Sequence, residues 1–362
     1  MQYERKTIRV IVVDDSALMR KLISNLLEKD PEIEVIATAI DGCFALTKVE
    51  QLNPDVVTLD VDMPRMDGMT ALGEMVSKYH TPVVMLSSLT TRGAALTMQA
   101  LEKGAVDFVC KPINSARLGD MADDLILKVK GAARANLVAM SAQPSPAPVK
   151  KTLSIAGQGT GSGRIVAIGA SSGGPHALRY LLPRIPANLD AGIVIVQHMP
   201  KSFTGMLAHW LNEICELEVK EAESGDLALP GRVLIAPGSS HMRIRRTPSG
   251  HEVLLEDGAL VNGHKPSVDV LFNSVASECG TRATAVLMTG MGSDGALGLG
   301  EIKRAGGYTV AQDKESCAVY GMPRAAIEKG YADEIVPLID MASHLLSKVG
   351  RLAELENSYA FN

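Results

Sequence analysis

Ile8-Arg9-Val10-Ile11-Val12-Val13-Asp14-Asp15 is a short β-branched run that ends on two carboxylates. Runs of the same kind recur at residues 33–39, 56–59, 83–86 and 106–109, each followed by a helical pattern. Short, continuously apolar strands alternating with helices are the pattern of a parallel sheet covered on both faces. Five such units make a flavodoxin-like, doubly wound α/β domain, in which the carboxyl ends of the strands meet in one crevice. Asp14 and Asp15 end the first run, Asp60 the third, Ser87 the fourth, and Lys111 the fifth, just before Pro112. Three crowded carboxylates repel one another unless a cation joins them, and an oxygen-rich site with open positions suits Mg²⁺. One carboxylate can then attack a phosphoryl group, with Lys111 and Ser87 bonding its oxygens. A plainer reading makes Asp14 and Asp15 caps for the helix beginning at Ser16. It leaves Asp60, Ser87 and Lys111 unexplained.

The chain has 362 residues, too many for one ordinary core, so two domains are expected. Its net charge of -5 offers no general attraction to nucleic acid or anionic membrane. No apolar run reaches membrane-spanning length, and the first residues do not read as a signal peptide. Cys43, Cys110, Cys215, Cys279 and Cys317 are scattered, odd in number and form no C-x-x-C pair. They predict buried thiols in a reducing cytoplasm, with no disulfide framework and no zinc site.

Strand–helix alternation stops near residue 135 and resumes at Ile165. The Pro-, Ser- and Ala-rich stretch at 141–151 and the Gly-rich stretch at 157–163 have linker composition. The boundaries read as a first domain over 6–135, a flexible linker over 136–163 and a second domain over 164–351. The second domain shows apolar strands at 165–168, 193–196, 233–235, 285–288 and 308–310. Segments 242–246 and 251–255 alternate like an antiparallel hairpin. A second doubly wound parallel α/β domain with a hairpin insertion is expected.

Gly169-Ala170-Ser171-Ser172-Gly173-Gly174-Pro175 joins the first strand of that domain to a helix. It contains G-x-S-x-G, the form of a nucleophile elbow, with helix N–H groups ready for an oxyanion. A Gly-rich strand–turn–helix can equally cradle a nucleotide phosphate, although the full G-x-G-x-x-G spacing and a Walker lysine are missing. Serine needs a base, and His198 stands at the end of the next strand. A third strand runs into Gly290-Met291-Gly292-Ser293-Asp294-Gly295. Asp294 either orients the imidazole or caps the helix that begins near Ala296. The order Ser…His…Asp departs from the Ser…Asp…His of α/β-hydrolases. His80, His209 and His344 fall in or near helical patterns, His176 begins the helix after the elbow, and His241, His251 and His264 lie around the hairpin.

Asp14-Asp15, the segment 59–68, Ser87 and Lys111-Pro112 resemble response-regulator receiver domains over nearly the whole first domain. The resemblance implies Asp60 as phosphoacceptor and Mg²⁺ on Asp15, Asp60 and the backbone carbonyl of Asp62, with Asp14 supporting the metal's water shell. It also implies a cis bond before Pro112 and a switch pair of Ser87 and Phe108. Segments 169–175, 197–200, 265–269 and 289–295 are similar to the chemotaxis protein-glutamate methylesterase (CheB) family. That likeness implies Ser171 as nucleophile, His198 as base, Asp294 as its orienter, and an oxyanion site at the Met291 N–H and around Ser172. It implies demethylation of glutamyl esters on methyl-accepting chemotaxis receptors, with deamidation of particular glutamines. The partners implied are those receptors and a chemotaxis histidine kinase, and a cytoplasmic monomer is expected. The esterase half is expected to need no cofactor. A competing expectation is a receiver-linked nucleotide or phosphate sensor without hydrolase activity. A DNA-binding regulator is disfavoured, because the second domain lacks a basic recognition helix.

Overall fold

The computed structural model describes residues 7–88, 90–111, 118–141 and 163–360, which divide into two compact units after Ser141. The cis bond expected before Pro112 and most of the expected linker lie outside the described residues. Among the described residues, no helix is long and apolar enough to cross a membrane.

In the first unit, strands β1 (Ile8–Val13), β2 (Ile33–Ala39), β3 (Val56–Asp60), β4 (Val83–Ser87) and β5 (Asp107–Cys110) form a sheet ordered β2-β1-β3-β4-β5. Every pairing is parallel. β3 and β4 are buried throughout, as a two-sided sheet requires. The connecting helices are α1 (Ala17–Leu27), α2 (Gly42–Leu52), α3 (Gly68–Ser77) and α4 (Thr91–Glu102), then α5 (Leu118–Ala132) and the short α6 (Leu137–Ser141). Ser16, Asp41, Asp67 and Thr90 cap the first four through side-chain oxygens, which starts each helix just beyond a strand's carboxyl end.

The second unit holds β6 (Ile165–Ala170), β7 (Gly192–Gln197), β8 (Glu218–Glu221), β9 (Arg232–Ile235), β12 (Ala283–Leu287), β13 (Tyr308–Gln312) and β14 (Glu334–Val336). They form one parallel sheet ordered β14-β13-β12-β6-β7-β9-β8. The expected antiparallel hairpin is β10 (His241–Thr247) with β11 (Gly250–Glu256). Helices α7 (Gly174–Leu181), α8 (Lys201–Ile214), α9 (Val268–Cys279), α10 (Ala296–Arg304), α11 (Met322–Glu328) and α12 (Leu338–Ala360) surround it. The edge strands β8 and β14 have no counterpart among the apolar runs. Each is short and partly exposed, so neither carries a continuous apolar stretch.

The chain runs from β6 to β7 on one side and returns to β12 on the other. That reversal opens a crevice at the carboxyl ends of these strands. A core of Val194, Val196, Leu271, Phe272, Leu287 and neighbouring residues fixes β6, β7, β12 and α9 together.

Candidate active site

Ser171, His198 and Asp294 follow β6, β7 and β12, three strands adjacent in the sheet. The elbow is held by backbone and by buried amides. The Ser171 N–H donates to the Thr289 carbonyl (3.0 Å), and the Ser171 carbonyl accepts from Gly174 N–H (2.8 Å) and from Gln197 Nε2 (2.9 Å). Thr289 Oγ1 donates to the Ser172 carbonyl (2.9 Å), and Gln312 Oε1 accepts from Thr289 N–H (2.9 Å). A Cβ on Gly174 would lie 1.9 Å from Gln197 Oε1, and one on Gly290 would lie 2.7 Å from the Ser171 Cβ. Only glycine lets the helix start and the β12 loop close on the serine. Met291 and Ser172, the residues expected at the oxyanion, flank these contacts along the chain.

Asp294 is 1% exposed and collects donors from three segments: the residue after β7, the loop at 262 and the start of α9. Its Oδ2 accepts from His198 Nε2 (2.9 Å) and Val268 N–H (2.6 Å). Its Oδ1 accepts from Ser267 Oγ (2.8 Å), Asn262 Nδ2 (2.8 Å) and, at 3.3 Å, Asp269 N–H. The carboxylate therefore sits on the N-terminus of α9, where helix N–H groups favour an anion. It does not cap α10, whose N-cap is Gly295 with no side-chain bond. Burial opposes its ionisation, but the His198 bond and charge, Asn262 and Val268 N–H hold it well below the usual carboxylate range.

Because Asp294 occupies Nε2, proton exchange with a nucleophile falls to His198 Nδ1. That atom is buried and has no hydrogen-bond partner among the described residues. The His264 ring stacks on the same imidazole, with centroids 3.9 Å apart and planes at 12°. Sequence reasoning gave His264 and Asn262 no role. Ser267 carried a readable signal, a serine capping the helix that begins at Val268.

The first unit gathers its own constellation. Carboxylate oxygens of Asp14, Asp15 and Asp60 come within 4.8 Å of one another. Lys111 Nζ lies 2.7 Å from both Asp14 Oδ2 and Asp60 Oδ2. Ser16, not Asp14 or Asp15, caps α1, while Asp14 Oδ1 accepts from Ser16 N–H (2.9 Å). Burial pushes the Asp60 carboxyl up to about 6; Lys111 opposes the rise and the Asp14 charge adds to it. An anionic, oxygen-only cluster with a destabilised charge matches the donor set of a hard divalent cation. Asp62 lies two residues past β3 with its side chain exposed. Ser87 is fully buried and turned toward α4. Its Oγ accepts from Thr97 Oγ1 (2.6 Å) and donates toward the Ser88 or Gly93 carbonyl, both at 3.2 Å. Phe108 is buried, and Lys128 Nζ lies 5.0 Å from its ring centroid while donating to its carbonyl (2.6 Å). The thiols are only partly as expected: Cys215, Cys279 and Cys317 are buried, Cys110 is intermediate, and Cys43 is exposed.

A buried serine elbow beside a histidine–aspartate pair, on a parallel α/β frame, defines a hydrolase unit of the serine class. The other unit has the frame and acidic edge of a phosphoacceptor module. Comparison with known proteins agrees in both halves. The family model for the CheB methylesterase matches residues 166–345, and that for the response regulator receiver domain matches residues 10–123. A protein-glutamate methylesterase/protein-glutamine glutaminase of Koribacter versatilis is 51% identical, over 91% of this chain and 93% of its own length. One from Salmonella typhimurium is 44% identical over 94% and 97%. The crystal structure of the Thermotoga maritima CheB methylesterase catalytic domain superposes with a TM-score of 0.51 at 42% identity, covering 51% of this chain and 98% of that one. The chain belongs to the CheB family of protein-glutamate methylesterases/protein-glutamine glutaminases.

Proposed function

We propose that this chain removes methyl groups from glutamyl esters of chemotaxis receptors, and deamidates specific receptor glutamines, under control of phosphorylation at Asp60. The receiver spans residues 6–135 and the esterase residues 164–351, and the chain acts as a cytoplasmic monomer. The observation that carries the catalytic reading is the 2.9 Å His198–Asp294 bond, which leaves a buried Nδ1 open at the strand end next to Ser171.

Ser171 Oγ attacks the side-chain carbonyl and passes its proton to His198 Nδ1. Asp294 stabilises the imidazolium that forms. The negative charge on the carbonyl oxygen is met by the Met291 N–H and the turn at Ser172; one good donor there is worth about 10²–10³ in rate. Collapse expels methanol, or ammonia from a glutamine, which takes its proton from Nδ1. Water then gives a proton to Nδ1 and attacks the acyl-serine; collapse returns that proton to Ser171 Oγ and releases glutamate. All of these steps are assigned to side chains and backbone of the esterase unit.

In the receiver, Asp15, Asp60 and the Asp62 carbonyl are assigned to Mg²⁺, with Asp14 on its water shell. The bound ion would neutralise charge on the incoming phosphoryl oxygens. Lys111 pairs with one of those oxygens. Ser87 reaches another only by leaving Thr97 and Gly93, which couples the acceptor to α4 and to Phe108. The phosphodonor is a chemotaxis histidine kinase.

Acetyl phosphate, used as a small phosphodonor, is expected to raise methanol release by the wild-type chain. Asp60→Asn should abolish that rise and keep the basal rate. Equal wild-type rates with and without acetyl phosphate would reject phosphorylation control and leave the esterase assignment standing. The receiver also carries a pH signature. A ligand carboxylate must shed its proton to bind metal, and Asp60 holds one up to about pH 6. Mg²⁺ affinity, read by calorimetry, is therefore expected to be about tenfold weaker at pH 5 than at pH 7.5. A flat profile would remove Asp60 from the ligand set.

A further inference from the structure

Between β11 and α9 the chain makes a loop with a tight tip at residues 261–264. Val261 and His264 exchange backbone hydrogen bonds across its tip (3.0 and 2.9 Å). Asn262 sits inside the tip at φ 52°, a left-handed conformation that few side chains other than asparagine adopt readily. That backbone sends the two polar ends of one residue in different directions. Its side-chain Nδ2 donates to Asp294 Oδ1 (2.8 Å) and to Asp269 Oδ2 (2.7 Å). Its carbonyl accepts from His264 Nδ1 (2.8 Å), and the His264 ring covers the face of His198.

Two carboxylates thus share one amide. Asp269 is 5% exposed, and its other oxygen accepts from Gly298 N–H (2.6 Å). Burial raises its proton affinity and the Asp294 charge adds to this, while Gly298 N–H and Asn262 work against it. The other titratable groups around the tip are turned elsewhere or already engaged. His241, from β10, accepts from Ser267 N–H at Nδ1 (3.2 Å), so its Nε2 donates to the Ala259 carbonyl (2.9 Å). Lys265 Nζ is bound to Asp257 (2.7 Å) and the Gly258 carbonyl (3.1 Å). Among the described residues, Asn262 Nδ2 is the side-chain donor that bonds both carboxylates.

We propose that Asn262 is a positioning residue for the catalytic base: its amide keeps Asp294 ionised beside a second buried carboxylate, and its carbonyl seats His264 against the His198 ring. This rests on the assignment of Ser171, His198 and Asp294 made above. Without the amide, Asp294 and Asp269 lose the one side-chain donor they share, and like charges at such range raise proton affinity. A proton taken up by the pair weakens the support of the imidazolium. A pair that stays ionised instead makes His198 hold its own proton more tightly. Both routes move the loss of activity to higher pH, so the sign does not depend on which group titrates.

The test compares pH–rate profiles for methyl-ester hydrolysis by full-length chains. Asn262→Gly keeps the left-handed backbone and the carbonyl and removes only the amide. It is expected to lower kcat by about 10–100-fold, the scale of lost outer support at other sites. KM should stay within about twofold, and the acid limb should move up by about one pH unit. Adding Asp269→Asn to Asn262→Gly removes one of the opposed charges, keeps an oxygen for Gly298 N–H, and should return the limb toward the wild-type position. A loop that mattered only for packing would not show that return. An unmoved acid limb in Asn262→Gly, or no return in the double variant, would overturn the proposal. Asn262→Asp serves as a second probe, since it keeps the shape and adds a third carboxylate; it should shift the limb at least as far upward. The wild-type chain is run alongside with a serine-directed phosphonate. If wild type hydrolyses esters and labels at Ser171 while the Asn262 variants behave as wild type, only this inference fails. If wild type does neither, the esterase assignment itself fails.

Discussion

Ser171→Ala is expected to lower kcat for methyl-ester hydrolysis by about 10⁶-fold, the scale seen when the nucleophile of a serine hydrolase is removed. The loss is chemical rather than structural. The Ser171 backbone is pinned by Thr289, Gly174 and Gln197, and none of those bonds uses the hydroxyl. Alanine fits the same buried position, so the melting temperature should stay within a few degrees of wild type, as for a substitution that costs under about 1 kcal/mol. What remains is turnover from the oxyanion donors and binding alone, about 10³–10⁴ over water. Methanol release from methylated receptor membranes measures the drop, and mass spectrometry of a phosphonate-treated wild-type chain locates the adduct. Turnover within tenfold of wild type, or an adduct on Ser172, would move the nucleophile elsewhere. Retained turnover in Ser171→Ala would also restore the reading in which this turn cradles a phosphate.

Much of this frame is legible before any coordinates, for a physical reason. A strand buried on both faces must be apolar along its length, so β1, β3, β4, β6 and β7 stand out as runs. Polar residues that end such runs are forced to the crevice, which is why Asp60, Lys111, Ser171 and His198 can be picked out by position. The edge strands escape because they are short and half exposed: β8 reads Glu-Val-Lys-Glu, and β14 is three residues long. Asp294 was ambiguous along the sequence, since an aspartate before a helix usually caps it. Only the packing of α9 against the β12 loop reveals that its donors come from a different helix. Asn262, His264 and Thr97 are illegible for the same kind of reason. Their contacts span loops or a helix and a strand end, follow no period and end no apolar run.

Asp294→Asn should cost about 10⁴-fold in kcat, the scale reported for the corresponding change in other triads. An amide cannot satisfy this site in either orientation. With its Nδ2 at the Oδ2 position it points a donor at Val268 N–H and at His198 Nε2, where the carboxylate accepted at 2.6 and 2.9 Å. His198 then keeps its proton on Nδ1 and cannot accept one from serine. Turned over, the amide faces Asn262 Nδ2 and Asp269 N–H with another donor. That orientation spares the tautomer but removes the negative charge that supports the imidazolium, so catalysis falls by either route. Stability carries a separate signature. Asp294 is held below the usual carboxylate range in the folded chain, so its ionised form contributes stability that is complete above the unfolded value of ~3.9 and declines as pH falls toward the folded one. The melting temperature of Asp294→Asn should accordingly lie well below wild type at pH 7, and the gap should narrow at pH 3. A gap that is constant between the two would mean that the α9 N-terminus, His198 and Asn262 do not bind the charge of Asp294, and the carboxylate would lose its place as the anchor of the base.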